Sequence, residues 1–150
     1  MALERTLCII KPDANEKHKA GAILALLEES GFEIKALKKT HLPRPIAEGF
    51  YAVHKARPFF GELVEFMTRS SVVIAVLEKD DAVAAYRKVM GATDPAKADA
   101  GTIRKLFGGN VGENAVHGSD SLENAKIEIA YFFPASEVSP AASPAASPTA

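Results

Sequence analysis

Residues Asn114-Ala115-Val116-His117-Gly118-Ser119-Asp120-Ser121 set one imidazole beside a glycine and two small hydroxyl side chains, just before a helix start. Asp120 followed three residues later by Glu123 has capping-box spacing, which predicts a helix beginning at Asp120 with that carboxylate as its cap. Gly118 has no side chain, so the edge of the His117 ring is expected to stay open to a ligand. Glu128 lies about two turns into the same helix and can reach back to one ring nitrogen. Such a bond fixes the tautomer and leaves the second nitrogen with a free lone pair. A neutral, oriented imidazole is a nucleophile. The ordinary alternative is a partly buried hydrogen-bonding histidine, of which a chain with four histidines can hold several.

The string around His117 resembles the active-site signature of the nucleoside diphosphate kinases. So do Glu4-Arg5-Thr6-Leu7 running into Ile9-Ile10-Lys11-Pro12-Asp13, Phe50-Tyr51-Ala52-Val53-His54 and Arg57-Pro58-Phe59-Phe60. Gly91-Ala92-Thr93-Asp94-Pro95 and Gly101-Thr102-Ile103-Arg104 complete an ordered set that extends from about Glu4 to Phe133. The resemblance implies transfer of the γ-phosphoryl group from a nucleoside triphosphate to a nucleoside diphosphate, by a ping-pong mechanism through a phosphohistidine at Nδ1 of His117. It implies that Lys11, Arg87 and Arg104 bind phosphate, with Thr93 adding a hydroxyl donor. Tyr51, Asn114, Ser119 and Glu128 are implied as active-site residues near the histidine and the ribose, and Phe59 and Val111 as the two faces of a base slot. Stacking without edge contacts discriminates bases poorly, so broad base specificity is expected.

Each of these residues also has a plainer reading. Lys11 and Arg104 suit solvated cations, Arg87 a surface ion pair, Thr93 and Asn114 turn residues, and Tyr51 and Phe59 core aromatics on helix faces. A glycine-rich loop ending in Gly-Lys-Ser or Gly-Lys-Thr is absent, since Gly108-Gly109 precede no lysine. A nucleotide enzyme built on this chain must hold phosphate with side chains instead of a backbone nest. The histidines are scattered and Cys8 is the single cysteine, so no resident metal cluster is expected. Mg2+ is expected to arrive on the nucleotide phosphates. A catalytically idle, nucleotide-binding member of the same family is the competing function.

Composition narrows the setting. The chain has 150 residues, 47% hydrophobic and 25% charged, with a net charge of −1, which suits one globular domain without a general polyanion-binding field. Nucleic acid is therefore not expected as a main partner. Neither a signal peptide nor an apolar stretch long enough for a membrane span is apparent, and the lone thiol suits a reducing compartment, so a cytoplasmic location is expected. The resemblance implies a homo-oligomer, a tetramer or hexamer built from dimers.

The elements that must position these residues follow from periodicity. Thr6 to Ile10 reads as a buried strand delivering Lys11 at its end. A helix over Gly21 to Ser30 ends at Gly31, and Phe32, Ile34 and Ala36 alternate with Glu33 and Lys35 as a half-buried strand. Two proline-led helices are expected to start at Pro45 and Pro58. Val72 to Leu77 is apolar on both faces and therefore central. Asp80 is expected to cap a helix ending at Gly91. A long irregular stretch from Ala92 to Gly112, holding at most a short helix near Thr102 to Phe107, then leads to the strand carrying His117 and a helix to about Phe133. This order predicts an α+β fold, the ferredoxin-like βαββαβ sandwich of a four-stranded antiparallel sheet with helices packed on it. The catalytic domain is expected to span 1–134. The Ala/Ser/Pro-rich residues 135–150, with Ala-Ala-Ser-Pro at 141–144 and 145–148, are expected to form a flexible tail.

Two internal departures from the family pattern bear on the site. Arg69-Ser70-Ser71 stands where Ser-Gly-Pro is common, a change expected to alter a turn away from the chemistry. Leu106 stands where an acidic residue is usual, which is expected to free or misplace Arg104.

Overall fold

Two apolar strands form the centre of the molecule, and the rest of the chain is arranged to cover their faces. The computed structural model describes residues 2–140. Strands β1 (Leu3–Ile10), β2 (Glu33–Thr40), β3 (Val72–Asp80) and β4 (Val116–Gly118) form one antiparallel sheet in the order β2-β3-β1-β4. The helices are α1 (Pro12–Glu16), α2 (Ala20–Glu29), α3 (Arg44–Phe50), α4 (Phe60–Met67), α5 (Ala82–Met90), α6 (Ile103–Phe107) and α7 (Leu122–Phe132). This is the ferredoxin-like α+β arrangement expected from the element order.

The period-2 alternation of β1 and β3 divides the core in two. On one face Cys8, Ile10, Val73, Ala75 and Leu77 pack with Ile23 and Leu27 of α2 and with Tyr86 and Met90 of α5. On the other, Leu7, Ile9, Val72, Ile74 and Val76 pack with Ala47 of α3, Val64 and Met67 of α4, and Phe132 of α7. Both strands are interior to the sheet, which explains why they read as continuous apolar runs.

Several boundaries differ from the sequence reading. The helix expected from Pro45 begins at Arg44, and the one expected from Pro58 begins at Phe60. Asp80 ends β3 instead of capping α5. The cap position is Asp81, in left-handed backbone with φ 52°, and the side chain that meets the free end is Glu4, whose Oε1 accepts from Val83 N at 3.3 Å. The α7 cap is Ser121, accepting from Asn124 N at 3.0 Å, while Asp120 takes the Asn124 side-chain amide at 2.6 Å. The alternation of β2 is broken by a bulge between Ile34 and Ala36, which turns Lys35 inward. Its ammonium lies 3.4 Å from buried Glu78 and 3.1 Å from Glu33.

Residues 135–140, which the sequence reading assigns to the tail, lie against this charged cluster. Ser139 N donates to Lys35 O at 2.9 Å, Arg5 Nη2 to Ser139 O at 2.7 Å and Lys35 Nζ to Pro140 O at 3.1 Å. Val138 packs beside the second core. Both copies of the Ala-Ala-Ser-Pro repeat lie outside the described residues.

Candidate active site

His117 is the middle residue of β4, paired with Ile9, so its side chain shares the sheet face of Ile9 and Leu7. Gly118 points to the opposite face, where an added Cβ would meet Met90 Sδ at 2.5 Å and Tyr86 Cε2 at 2.7 Å. Gly118 is therefore needed for the close approach of α5 to β4, not, as expected, to keep the imidazole edge open. Tyr86 Oη donates to His117 O at 2.9 Å, pinning the backbone of the same strand.

The His117 ring is held from the other side. Its Nε2 lies 3.0 Å from Glu128 Oε1, and buried Ser119 Oγ donates to that same carboxylate oxygen at 2.7 Å. An ionised carboxylate in this contact makes Nε2 the protonated nitrogen, so Nδ1 keeps its lone pair. Phe50 packs edge-on against the ring, with centroids 5.5 Å apart. Tyr51, implied as an active-site residue near the histidine, is buried and shares with His117, Glu128 and Tyr131 a cavity of about 400 Å3. No hydrogen bond joins it to His117 among the described residues. Burial, reinforced by the Glu128 carboxylate, raises the Tyr51 phenol above its ordinary pKa, so it is neutral.

A second group forms where β1 ends. Lys11 Nζ donates to Asn114 Oδ1 at 2.9 Å, and Asn114 Nδ2 donates to Thr93 O at 3.0 Å, so the Asn114 amide links two expected phosphate residues. Burial, and then the nearby Arg104 guanidinium, lowers the Lys11 pKa from 10.5 to about 8. Arg104 is neither freed nor misplaced by Leu106, which is exposed. The guanidinium is buried and donates to Asn114 O at 3.3 Å, Gly91 O at 3.2 Å and Val116 O at 2.9 Å. Three carbonyls do the holding expected of the missing carboxylate. Arg87 stays exposed, reaching Gly118 O at 3.5 Å, and lines a hollow of about 370 Å3 with Thr93.

Phe59 and Val111 line a cleft of about 1120 Å3 together with Leu63, Phe66 and Thr93. Both side chains are about half exposed, 45% and 56%, so Phe59 is not the core aromatic of the plainer reading. The His54 ring, 5.5 Å from Phe59, also lines the His117 cavity and so connects the two regions.

Sequence reasoning missed three contributors. Asp13 is buried, and its Oδ2 accepts from Ala115 N at 3.1 Å, holding a residue with φ 75° two positions before His117. Its other oxygen has no hydrogen-bond partner among the described residues, and burial raises its pKa. Phe50, neighbour of the expected Tyr51, makes the ring contact. Arg69, expected to lie away from the chemistry, lines the Phe59–Val111 cleft. For Asp13 the one available signal is adjacency to Lys11-Pro12.

Known proteins share the sequence and fold of this chain over most of its length. The nucleoside diphosphate kinase family model matches residues 4–138. A nucleoside diphosphate kinase of Sorangium cellulosum is 66% identical over 142 residues, covering 95% of this chain and 99% of that protein. One from Anaeromyxobacter dehalogenans is 61% identical over 138 residues, covering 92% and 94%. Among solved structures, the Aquifex aeolicus nucleoside diphosphate kinase matches with a TM-score of 0.89 at 48% identity, over 91% of this chain and 99% of that one. The Halobacterium salinarum enzyme in complex with CDP matches with a TM-score of 0.89 at 36% identity, over 96% of each chain. With its fold, its ordered motifs and most of its length in common with these enzymes, the chain belongs to the nucleoside diphosphate kinase family.

Proposed function

We propose that the chain moves the γ-phosphoryl group of a nucleoside triphosphate to a nucleoside diphosphate through a phosphohistidine on His117. The observation that carries this reading is the 3.0 Å contact of Nε2 with Glu128, which leaves Nδ1 as the nucleophilic nitrogen. The Nδ1 lone pair attacks the γ-phosphorus, and the bond to the β–γ bridging oxygen breaks with its electron pair leaving on the diphosphate. The ring becomes a cation whose Nε2–H is stabilised by Glu128. A terminal oxygen of the acceptor diphosphate then attacks the same phosphorus, and the N–P electron pair returns to Nδ1.

Lys11, Arg87, Arg104 and Thr93 hold the phosphates, Asn114 orients Lys11 and meets the ribose, and Tyr51 and Ser119 support the His117–Glu128 pair. Charge spread over the transferred phosphoryl group makes fixed cations the main source of catalysis. Phe59 and Val111 offer faces to stack a base and no side-chain donors to read its edge, which favours broad base acceptance. Mg2+ would enter as part of the nucleotide substrate and offset negative charge on the phosphates held by Lys11, Arg87 and Arg104. Half-exposed Leu37 on edge strand β2 suits contact with a second copy, in keeping with a homo-oligomer of dimers. The free thiol of Cys8 suits a cytoplasmic setting.

The test is incubation with γ-labelled triphosphate. An acid-labile, base-stable phosphoprotein should form, His117→Ala should lose it and all turnover, and initial-rate plots should be parallel. Label retained by His117→Ala, or intersecting plots, contradicts the mechanism. Nucleotide binding with no label favours an idle binding module instead.

A further inference from the structure

The turn carrying Val111 is closed on itself. Gly109 N donates to Glu113 O at 2.8 Å, and Asn110 Oδ1 accepts from Gly112 N at 3.0 Å and Glu113 N at 2.9 Å. Val111 thus rides on a small preformed unit, opposite Phe59 and α4. Among the described residues no hydrogen bond joins this unit to α4 or to the turn just after it. The link is an ion pair, Arg69 Nη2 to Glu113 Oε1 at 3.5 Å.

Arg69 is itself fixed in place. Its guanidinium donates twice to Glu16 of α1, Nε to Oε2 at 3.0 Å and Nη2 to Oε1 at 2.6 Å, and Ser70 Oγ adds a third bond to Glu16 at 2.6 Å. The guanidinium carbon also lies 5.0 Å from the centroid of the Phe66 ring of α4. A lone exposed ion pair holds little. A planar fork gripped by one carboxylate, backed by an aromatic face and sharing its Nη2 with a second carboxylate, is preorganised and sets a distance.

The geometry points to Arg69 as a positioning residue that sets the width of the nucleotide cleft, tying the Val111 turn to α4 and α1 through Glu113 and Glu16. The inference rests on the reading that this cleft takes the nucleobase. A base stacked on Phe59 gains contact with Val111 only at the right separation, so the Arg69 bridge determines how much of the stacking is realised.

The test uses calorimetric titration of the full chain with a purine nucleoside diphosphate and, separately, with pyrophosphate, each with Mg2+. In Arg69→Ala the nucleotide affinity should fall about threefold to tenfold while pyrophosphate binding stays within about twofold. KM should rise with kcat at saturation little changed, and Arg69→Lys should recover part of the loss. Glu113→Gln should lose nucleotide affinity like Arg69→Ala, and the double variant should lose no more than either single change. Unchanged nucleotide affinity in Arg69→Ala overturns the proposal. So does an equal loss for pyrophosphate, which marks a general charge effect. Phe59→Ala separates the two levels: lost nucleotide affinity there with a silent Arg69→Ala refutes only the bridge, whereas a silent Phe59→Ala removes the base slot and the bridge together.

Discussion

Raising the pH through 8 should switch off this enzyme by neutralising Lys11, well below the range in which an ordinary lysine titrates. Burial and the neighbouring Arg104 bring the pKa from 10.5 to about 8, and Asp13 opposes them only in part. At that value the ammonium is about nine-tenths populated at pH 7 and about one-tenth at pH 9, so kcat/KM should fall roughly tenfold between them. An unperturbed lysine would lose only about one-thirtieth of its charge at pH 9. Bound phosphates favour the ammonium, so the alkaline limb of kcat should lie at higher pH than that of kcat/KM. Stability moves the other way. The folded chain binds fewer protons than the unfolded chain between about pH 8 and 10.5, so the contribution of Lys11 to folding stability rises across the window where activity falls. Loss of activity without loss of the urea midpoint therefore distinguishes deprotonation from unfolding. Lys11→Arg keeps its charge and should give a flat alkaline arm, whatever its absolute rate. A kcat/KM constant from pH 7 to 9.5, or the same limb in Lys11→Arg, refutes the reasoning.

Two further outcomes follow from packing. Gly118→Ala drives a methyl group into Met90 and Tyr86 and should destabilise the fold by about 1–3 kcal/mol, with activity lowered through displacement of β4; an unchanged urea midpoint contradicts the close approach. A chain ending at Pro134 loses the Val138 packing and the Ser139 bonds and should be less stable by roughly 1–3 kcal/mol than one ending at Pro140. Both should retain kcat/KM within about twofold, since no proposed site residue lies beyond Glu128; a collapse of activity in either one contradicts this.

The strands and most helices were legible because their apolar spacing is set by burial on one face or both, and β1 and β3 are unambiguous in that respect. Cap positions slipped by one where two cap-forming residues are adjacent, as at Asp80-Asp81 and Asp120-Ser121. The β2 bulge is invisible to alternation, because Lys35 reads as an outward residue until its partners on β3 and near Pro140 are known. The His117–Glu128 contact was legible because both ends lie close in sequence, on a strand and the helix that follows it. Asp13 and Ala115 are 102 residues apart and Lys11 and Asn114 are 103 apart, so their bonds exist only once β1 and β4 are paired. Phe59 precedes α4 and does not lie within it, so its helical spacing with Leu63 and Phe66 did not report its exposure.

Cys8 has one more consequence. It pairs with Gly118 across β1 and β4, is fully enclosed, and has its thiol pushed up to about 12 by burial. The thiolate that reacts with alkylating agents is therefore both scarce and shielded while the sheet is closed. Reaching it requires the seam between α5 and the sheet to open, and α5 carries the Tyr86 that holds the His117 backbone. The single thiol thus works as a clock for the support of the active-site strand: its labelling rate in native buffer counts openings at that seam, without any reporter added to the chain.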